Sequence, residues 1–120
     1  MPILRFAPAI AWAAVIFVLS SVPNPPGATG SEWQSNLAHM TEYAVLALLL
    51  VWACTATGRR LAGAAVAGWL VCLAYGVSDE YHQSFVANRD SNGLDVAFDA
   101  LGAAIGALAA AFVLRLRAGP

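Results

Sequence analysis

Charged residues are scarce in this chain, and lysine is absent altogether. Only 11% of the 120 residues are charged and 60% are hydrophobic, with a mean hydropathy of +0.69. A water-soluble domain carries about 25% charged residues, so this chain cannot cover a soluble surface. It has no basic stripe for nucleic acid, and its two cysteines, both within apolar runs, exclude a disulfide scaffold. The composition predicts a small integral membrane protein.

Four apolar runs are long enough to cross a bilayer. A transmembrane helix needs about 20 mostly apolar residues, and a helix closes its backbone hydrogen bonds within one segment. Asn92 followed by Asp95 is typical of a capped helix start. We predict one all-α domain over residues 1–120, a four-helix transmembrane bundle. Its helices are expected over about 6–22, 37–57, 61–83 and 93–116.

The arginines predict the orientation of the bundle. Five of the six lie on the side that holds both termini and the 58–60 turn, namely Arg5, Arg59, Arg60, Arg115 and Arg117. Cytoplasmic loops carry the excess of basic residues. We therefore expect both termini in the cytoplasm, and the connections at 23–36 and 79–93 outside it.

All the acidic residues and both histidines lie in, or within about two turns of, the outer connections. They are Glu32, Glu42, Asp79, Glu80, Asp90, Asp95, Asp99, His39 and His82. A charged side chain at mid-helix costs about 2.5–3.5 kcal/mol, so their charges need compensation. We expect Arg89 to be the counter-ion that holds the cluster together, helped by shared protons, water or a cation, and we expect His82 to be exposed.

Helical spacing gathers these polar groups onto stripes that should face into the bundle. The stripes are His39, Glu42 and Tyr43 on the second helix, Tyr75, Asp79 and His82 or Gln83 on the third, and Asp95, Asp99, Gly102 and Gly106 on the fourth. The glycine pair allows another helix to approach closely. Whether that helix belongs to the same chain is open, as is the oligomeric state.

Each polar residue also has a structural interpretation. His39 and Glu42 could bond to each other within their helix, and Asp95 could serve only the helix dipole. Asp79 and Glu80 could form a solvated helix end. Two carboxylates and a histidine also suit a divalent metal, but no strict ligand spacing is present. We therefore assign no cofactor and leave a divalent metal as an alternative.

Four motifs resemble those of VanZ-like membrane proteins. The segment around His39 and Glu42 is similar to the histidine-led helix start of that family. The others are S-S-x-P at Ser20, Ser21 and Pro23, D-E-x-x-Q-x-F-x-P-x-R from Asp79 to Arg89, and D-x-x-x-[ND]-x-x-G-x-x-x-G from Asp95 to Gly106. The chain departs from the pattern before the arginine, where Ala87 and Asn88 replace the usual proline and glycine.

The resemblance implies a multi-pass protein of the bacterial cytoplasmic (inner) membrane. The family is named for low-level resistance to teicoplanin, a lipoglycopeptide antibiotic, and it supplies no established reaction. From their positions and charges, we predict a polar functional site that comprises His39, Glu42, Tyr43, Asp79, Glu80, Gln83, Arg89, Asp95 and Asp99. Besides the lipid bilayer, the expected partner is a lipid-linked cell-wall precursor or the lipoglycopeptide itself.

Three functions remain open at this stage. In the first, an acidic pocket at the outer interface binds or modifies an amphiphilic envelope component and so affects teicoplanin tolerance. In the second, the protein is an outer-leaflet enzyme, acid–base or metal-dependent, with Glu42 or Asp79 as the general base. The third is a small oligomeric transporter, which is disfavoured because the cytoplasmic half has few polar groups beyond Thr55 and Thr57.

Overall fold

The computed structural model describes residues 1–23, 31–89 and 92–120, and every regular element within those ranges is helical. A short 3₁₀ turn leads into the first α-helix. The helices are α1 (Ala7–Ser21), α2 (Glu32–Ala56), α3 (Leu61–Gln83) and α4 (Gly93–Ala118). Each is long and apolar enough to cross a membrane, with the 3₁₀ turn counted into the first span. The predicted all-α, four-helix fold is thus confirmed for the described residues, and the orientation stays a prediction.

The observed helix ends differ most from the sequence-based bounds at α2. This helix begins at Glu32, five residues before the expected start at 37. Residues 32–36 contain neither proline nor glycine, so the helix extends back to Ser31, whose backbone is extended. At α4 the predicted cap is confirmed, since the Asn92 side chain accepts a hydrogen bond from the Leu94 amide at 3.1 Å. Asp90, one of the predicted outer acids, lies outside the described residues.

Small residues form the centre of the bundle, and most large apolar side chains face outward. Ala47, Cys72, Ala103 and Ala107 are buried, whereas Leu108 is exposed, as lipid contact requires. Lipid is as apolar as these side chains, so helices in a membrane associate through close packing rather than through exclusion of water. The buried interior therefore depends on how closely the backbones approach.

The closest approach is between α2 and α4. A Cβ atom on Gly102 would lie 2.6 Å from Met40 Cα, and one on Gly106 would lie 2.7 Å from Ala44 Cα. No real Cβ is accommodated at such distances, so both positions require glycine. The glycine pair therefore packs within one chain, which answers the question that the sequence left open. This packing sets Asp99, one turn before Gly102, against α2.

Aromatic side chains also join the helices by hydrogen bonds to the main chain. Trp12 Nε1 of α1 donates to the Glu42 carbonyl of α2 at 2.8 Å. Trp69 Nε1 donates to the Ala100 carbonyl at 3.0 Å, and Tyr75 Oη donates to the Ala13 carbonyl at 2.6 Å. Each bond satisfies a donor that the hydrocarbon could not. These aromatic donors fix α1 against α2 and α3, and α3 against α4.

We expect Trp12→Phe to destabilise the bundle by about 0.6–1.7 kcal/mol, the range measured for hydrogen bonds between membrane helices. The substitution keeps an aromatic ring but removes the donor to the Glu42 carbonyl. The measurement is the unfolding free energy of the purified protein in mixed micelles. Trp33→Phe is the matched control, because Trp33 is 65% exposed. Equal losses in the two variants would contradict a stabilising role for this bond.

Candidate functional site

A buried ion pair joins α2 to α4 near the end of the bundle where α1 and α3 end. His39 Nδ1 donates to Asp99 Oδ1 at 2.8 Å. His39 is 6% exposed and Asp99 is 1% exposed. The pair compensates a carboxylate that would otherwise be isolated in the bilayer. Because the carboxylate orients the ring through Nδ1, the Nε2 atom of His39 remains for another partner.

A second polar contact lies one helical turn deeper. Tyr43 Oη, one turn beyond His39 on α2, donates to Asp79 Oδ2 of α3 at 3.4 Å, which makes it a long and weak hydrogen bond. Asp79 is only 5% exposed. Its other oxygen, Oδ1, is buried and has no hydrogen-bond partner among the described residues. Buried polar atoms in native proteins nearly always have partners, so this oxygen requires an explanation.

Gly76 lets these two polar layers meet. A Cβ atom at this position on α3 would lie 3.0 Å from Asp99 Oδ2 and 3.5 Å from Tyr43 Cε1. A Cβ here would force the Asp99 side chain to shift by a few tenths of an ångström, whereas Tyr43 would be at ordinary contact distance. The sequence analysis did not single out Gly76 as a site residue, although it lies three residues before Asp79 on the same polar stripe.

A cavity of about 350 Å³ opens above these pairs, at the end of the bundle. His39 and Glu42 line one wall of this cavity, and the last turn of α1 lines the other. Its lining consists of Leu19, Ser20, Val22, Pro23, Ser35, Ala38, His39, Glu42, Gln83 and Arg89. The described part of the chain supplies no hydrogen-bond partner to the Glu42 carboxylate. The cavity therefore combines an apolar wall with a polar one.

Arg89 forms its hydrogen bonds with main-chain carbonyls at the end of α1. Its Nε donates to the Val22 carbonyl at 3.1 Å and its Nη2 to the Leu19 carbonyl at 2.7 Å. The last carbonyls of a helix have no partner within the helix and carry the negative end of its dipole. Among the described residues, Arg89 forms no direct ion pair with a carboxylate, while His39 pairs with Asp99. Arg89 still lines the same cavity as Glu42, so its role as a counter-ion of the acidic cluster stays a prediction.

The turn before Arg89 contains a residue whose backbone is in the left-handed conformation. Asn88 has a φ of +57°, a conformation that glycine adopts freely and asparagine tolerates better than most residues. Asn88 occupies the position where the VanZ-like pattern has glycine. The substitution therefore preserves the conformation that the turn requires.

His82 is also placed differently from the expectation. It is half-buried rather than exposed, and its Nε2 lies 2.9 Å from Ser21 Oγ. Its ring stacks on Phe17 with a centroid separation of 4.6 Å and an interplanar angle of 24°. His82 therefore connects the last turn of α3 to the last turn of α1, beside the cavity.

The remaining predicted site residues divide into two groups. Gln83 is buried and lines the cavity, one turn above Asp79. Asp95 and Glu80 are half-buried and lie outside the lining. Within the ranges that the structure describes, no three His, Cys, Asp or Glu side chains are grouped as metal ligands would be. The metal-dependent alternative therefore has no ligand set there.

We expect Arg89→Ala to loosen the end of α1. The variant removes two solvent-exposed hydrogen bonds, each of which contributes about 0.5–1.5 kcal/mol. Amide hydrogen exchange should accelerate at residues 19–22, which form the last turn of α1 and its boundary. Arg60→Ala, which removes the same charge from an exposed position, should leave exchange at that segment unchanged. Unaltered exchange in Arg89→Ala would contradict the anchoring role.

Comparison with known proteins adds one match. The family model described as VanZ/LLP1 matches residues 5–115, which include the buried pairs and the whole lining of the cavity. The search of curated proteins and the search of solved structures found no match. The matched region covers nearly the whole chain, from the start of the first span to the last turn of α4. The chain therefore belongs to the VanZ/LLP1 family.

Proposed function

We propose that this protein binds an amphiphilic component of the bacterial envelope in the cavity and thereby alters tolerance to teicoplanin. The observation that carries the proposal is the two-sided lining of the cavity. Leu19, Val22 and Pro23 provide an apolar wall, while His39 and Glu42 provide a polar one. The volume of about 350 Å³ lies in the range of small-molecule sites. A polar head with an apolar anchor matches both walls.

The position of the cavity supports a ligand that remains in the bilayer. The cavity lies at the end of helices that are long enough to span a membrane. An amphiphile can place its head group there while its hydrocarbon chain stays among the lipids. Membership of the VanZ family links the chain to teicoplanin resistance. A lipid-linked cell-wall precursor and the lipoglycopeptide itself are the two candidate ligands.

The charge distribution supports a cavity that faces away from the cytoplasm. Five exposed arginines lie at the end of the bundle opposite the cavity, namely Arg5, Arg59, Arg60, Arg115 and Arg117. Basic residues favour the cytoplasmic side. We accordingly place the protein in the cytoplasmic membrane with its cavity at the extracytoplasmic surface.

The His39–Asp99 pair favours acid–base catalysis as a second candidate function. When His39 is in its neutral form, the hydrogen bond from its Nδ1–H to Asp99 leaves Nε2 as a proton acceptor, which is the arrangement of a general base. His39 lines the cavity, so a hydroxyl or water held there could transfer its proton to Nε2. This assigns the general base to His39 rather than to Glu42 or Asp79. No specific observation favours the transporter alternative.

We expect Glu42→Gln to abolish most of the teicoplanin tolerance that the wild-type protein confers on a susceptible host. Loss of a charged hydrogen-bond partner costs about 1.5–3 kcal/mol, which corresponds to roughly a 10–100-fold weaker ligand. Minimum inhibitory concentrations should be compared at equal membrane levels of each variant. Glu32→Gln is the matched control, because Glu32 is exposed on the same helix and does not line the cavity. Full protection by Glu42→Gln would contradict the proposal.

Mass spectrometry of lipids and muropeptides separates the two candidate functions. An enzyme changes the chemical inventory of the envelope, and His39→Gln should abolish that change because glutamine cannot accept the proton. A binding protein leaves the inventory unchanged while tolerance still rises. If the wild-type protein alters neither tolerance nor inventory, both candidate functions are wrong.

A further inference from the structure

The strongest unexplained feature of the site is the oxygen Oδ1 of Asp79. This atom is buried and has no partner among the described residues, although Asp79 is only 5% exposed. The opposite oxygen, Oδ2, receives only the long bond from Tyr43 at 3.4 Å. Leaving a buried carboxylate oxygen without a donor is costly, and the cost rises in an apolar medium. The atom is thus suited to accept a donor that the described chain does not supply.

Helical spacing places this oxygen beneath the cavity. Gln83 lines the cavity, and Asp79 lies four residues earlier on the same face of α3, about 6 Å deeper along the helix. On α2, His39 lines the cavity and Tyr43 lies one turn deeper on the same face. The Tyr43–Asp79 contact therefore lies about one helical turn below two residues that line the cavity, His39 and Gln83.

Among the charged groups around the cavity, the Glu42 carboxylate is a hydrogen-bond acceptor that lines the wall without a donor from the described chain. Two nitrogens of the Arg89 guanidinium are engaged by the carbonyls of α1, and His39 is paired with Asp99. A purely anionic head group would meet the Glu42 carboxylate as well as Arg89 in this lining, and like charges across an interface are unfavourable.

We propose that the cavity recognises a head group with a primary ammonium, for which Glu42 at the wall and Asp79 beneath the floor are the acceptors. A primary ammonium has three donors and a compact charge, so a single group can donate to two carboxylates. This inference rests on the proposed binding of an amphiphile and specifies the class of that amphiphile. It also accounts for the partnerless oxygen of Asp79.

The test compares two lipids that differ only in their donors. The purified full-length protein in nanodiscs is titrated with short-chain phosphatidylethanolamine and with phosphatidylcholine of the same chains, and binding is followed by native mass spectrometry. Phosphatidylcholine carries a quaternary ammonium that cannot donate a hydrogen bond. We expect phosphatidylethanolamine to bind about tenfold or more tightly, as for a charged hydrogen bond.

Three variants test which carboxylates cause the preference for phosphatidylethanolamine over phosphatidylcholine. Glu42→Gln and Asp79→Asn should each remove most of it, whereas Glu32→Gln should retain it. Equal binding of the two lipids by the wild-type protein would overturn the ammonium inference and leave amphiphile binding intact. Binding of neither lipid would count against the proposed function as well. A preference that survives both Glu42→Gln and Asp79→Asn would overturn the assignment of these two carboxylates.

Discussion

Replacing Gly106 with alanine should separate α2 from α4 and destabilise the bundle by about 1–3 kcal/mol or more. The added Cβ would lie 2.7 Å from both the Cα and the carbonyl carbon of Ala44. These are backbone atoms, so no side-chain rotation can relieve the overlap, and the helices must move apart. Gly102→Ala should have a similar effect through the backbone of Met40.

The unfolding free energy in mixed micelles measures this effect, and Gly63→Ala provides the control. A Cβ on Gly63 would meet only the flexible side chain of Arg59, at 3.8 Å. Alanine favours a helix over glycine by roughly 0.5–1 kcal/mol, so this variant should be at least as stable as the wild-type protein. If Gly106→Ala proved as stable as Gly63→Ala, the close approach of α2 and α4 would be wrong.

The variant His39→Leu should have the largest effect among substitutions of the polar residues. It would leave Asp99 buried without its partner, and breaking a buried ion pair in this way costs about 3–5 kcal/mol. Asp99→Leu should also be strongly destabilising, because it removes the acceptor of His39.

The double variant His39→Leu/Asp99→Leu should recover much of the lost stability, since an apolar pair can replace a buried ion pair at little cost. A double-mutant cycle on unfolding free energies then isolates the interaction between the two side chains. If the stability lost in the double variant equalled the sum of the losses in the two single variants, His39 and Asp99 would not interact. Because lost activity alone cannot separate folding from function, this cycle should precede any interpretation of the functional variants.

The sequence predicted the helices well because each span is a continuous apolar run of sufficient length. It failed at the start of α2, where residues 32–36 are polar but compatible with a helix. Hydropathy detects the part of a helix within the hydrocarbon, and α2 extends beyond that part. Only the backbone conformation at Ser31 defines where the helix begins.

The sequence also indicated which faces carry polar residues, since His39, Tyr43, Asp79 and Asp99 recur at helical spacings. It could not predict which residues pair across helices, because that depends on helix rotation and separation. Those variables are set by the glycines at 76, 102 and 106, which admit close neighbours. Spacing within a single helix contains no information about the distance between two helices.

Contacts to the main chain were the other feature hidden from the sequence. Every residue has a carbonyl, so no residue type marks Leu19 or Val22 as partners of Arg89. Counting charges favoured a carboxylate partner instead. The same limitation applies to Trp12, whose acceptor is the carbonyl of Glu42 rather than its carboxylate.

The separation of the two ion-pair partners along the chain has a consequence for biosynthesis. His39 and Asp99 are 60 residues apart. At a synthesis rate of about 5–20 residues per second, Asp99 leaves the ribosome roughly 3–12 s after His39. During that interval His39 lacks its carboxylate partner, and the surface of α2 that packs against Gly102 and Gly106 is not yet covered by α4. The ion pair therefore cannot form before α4 has been synthesised, and a chain stalled before α4 carries His39 without its partner.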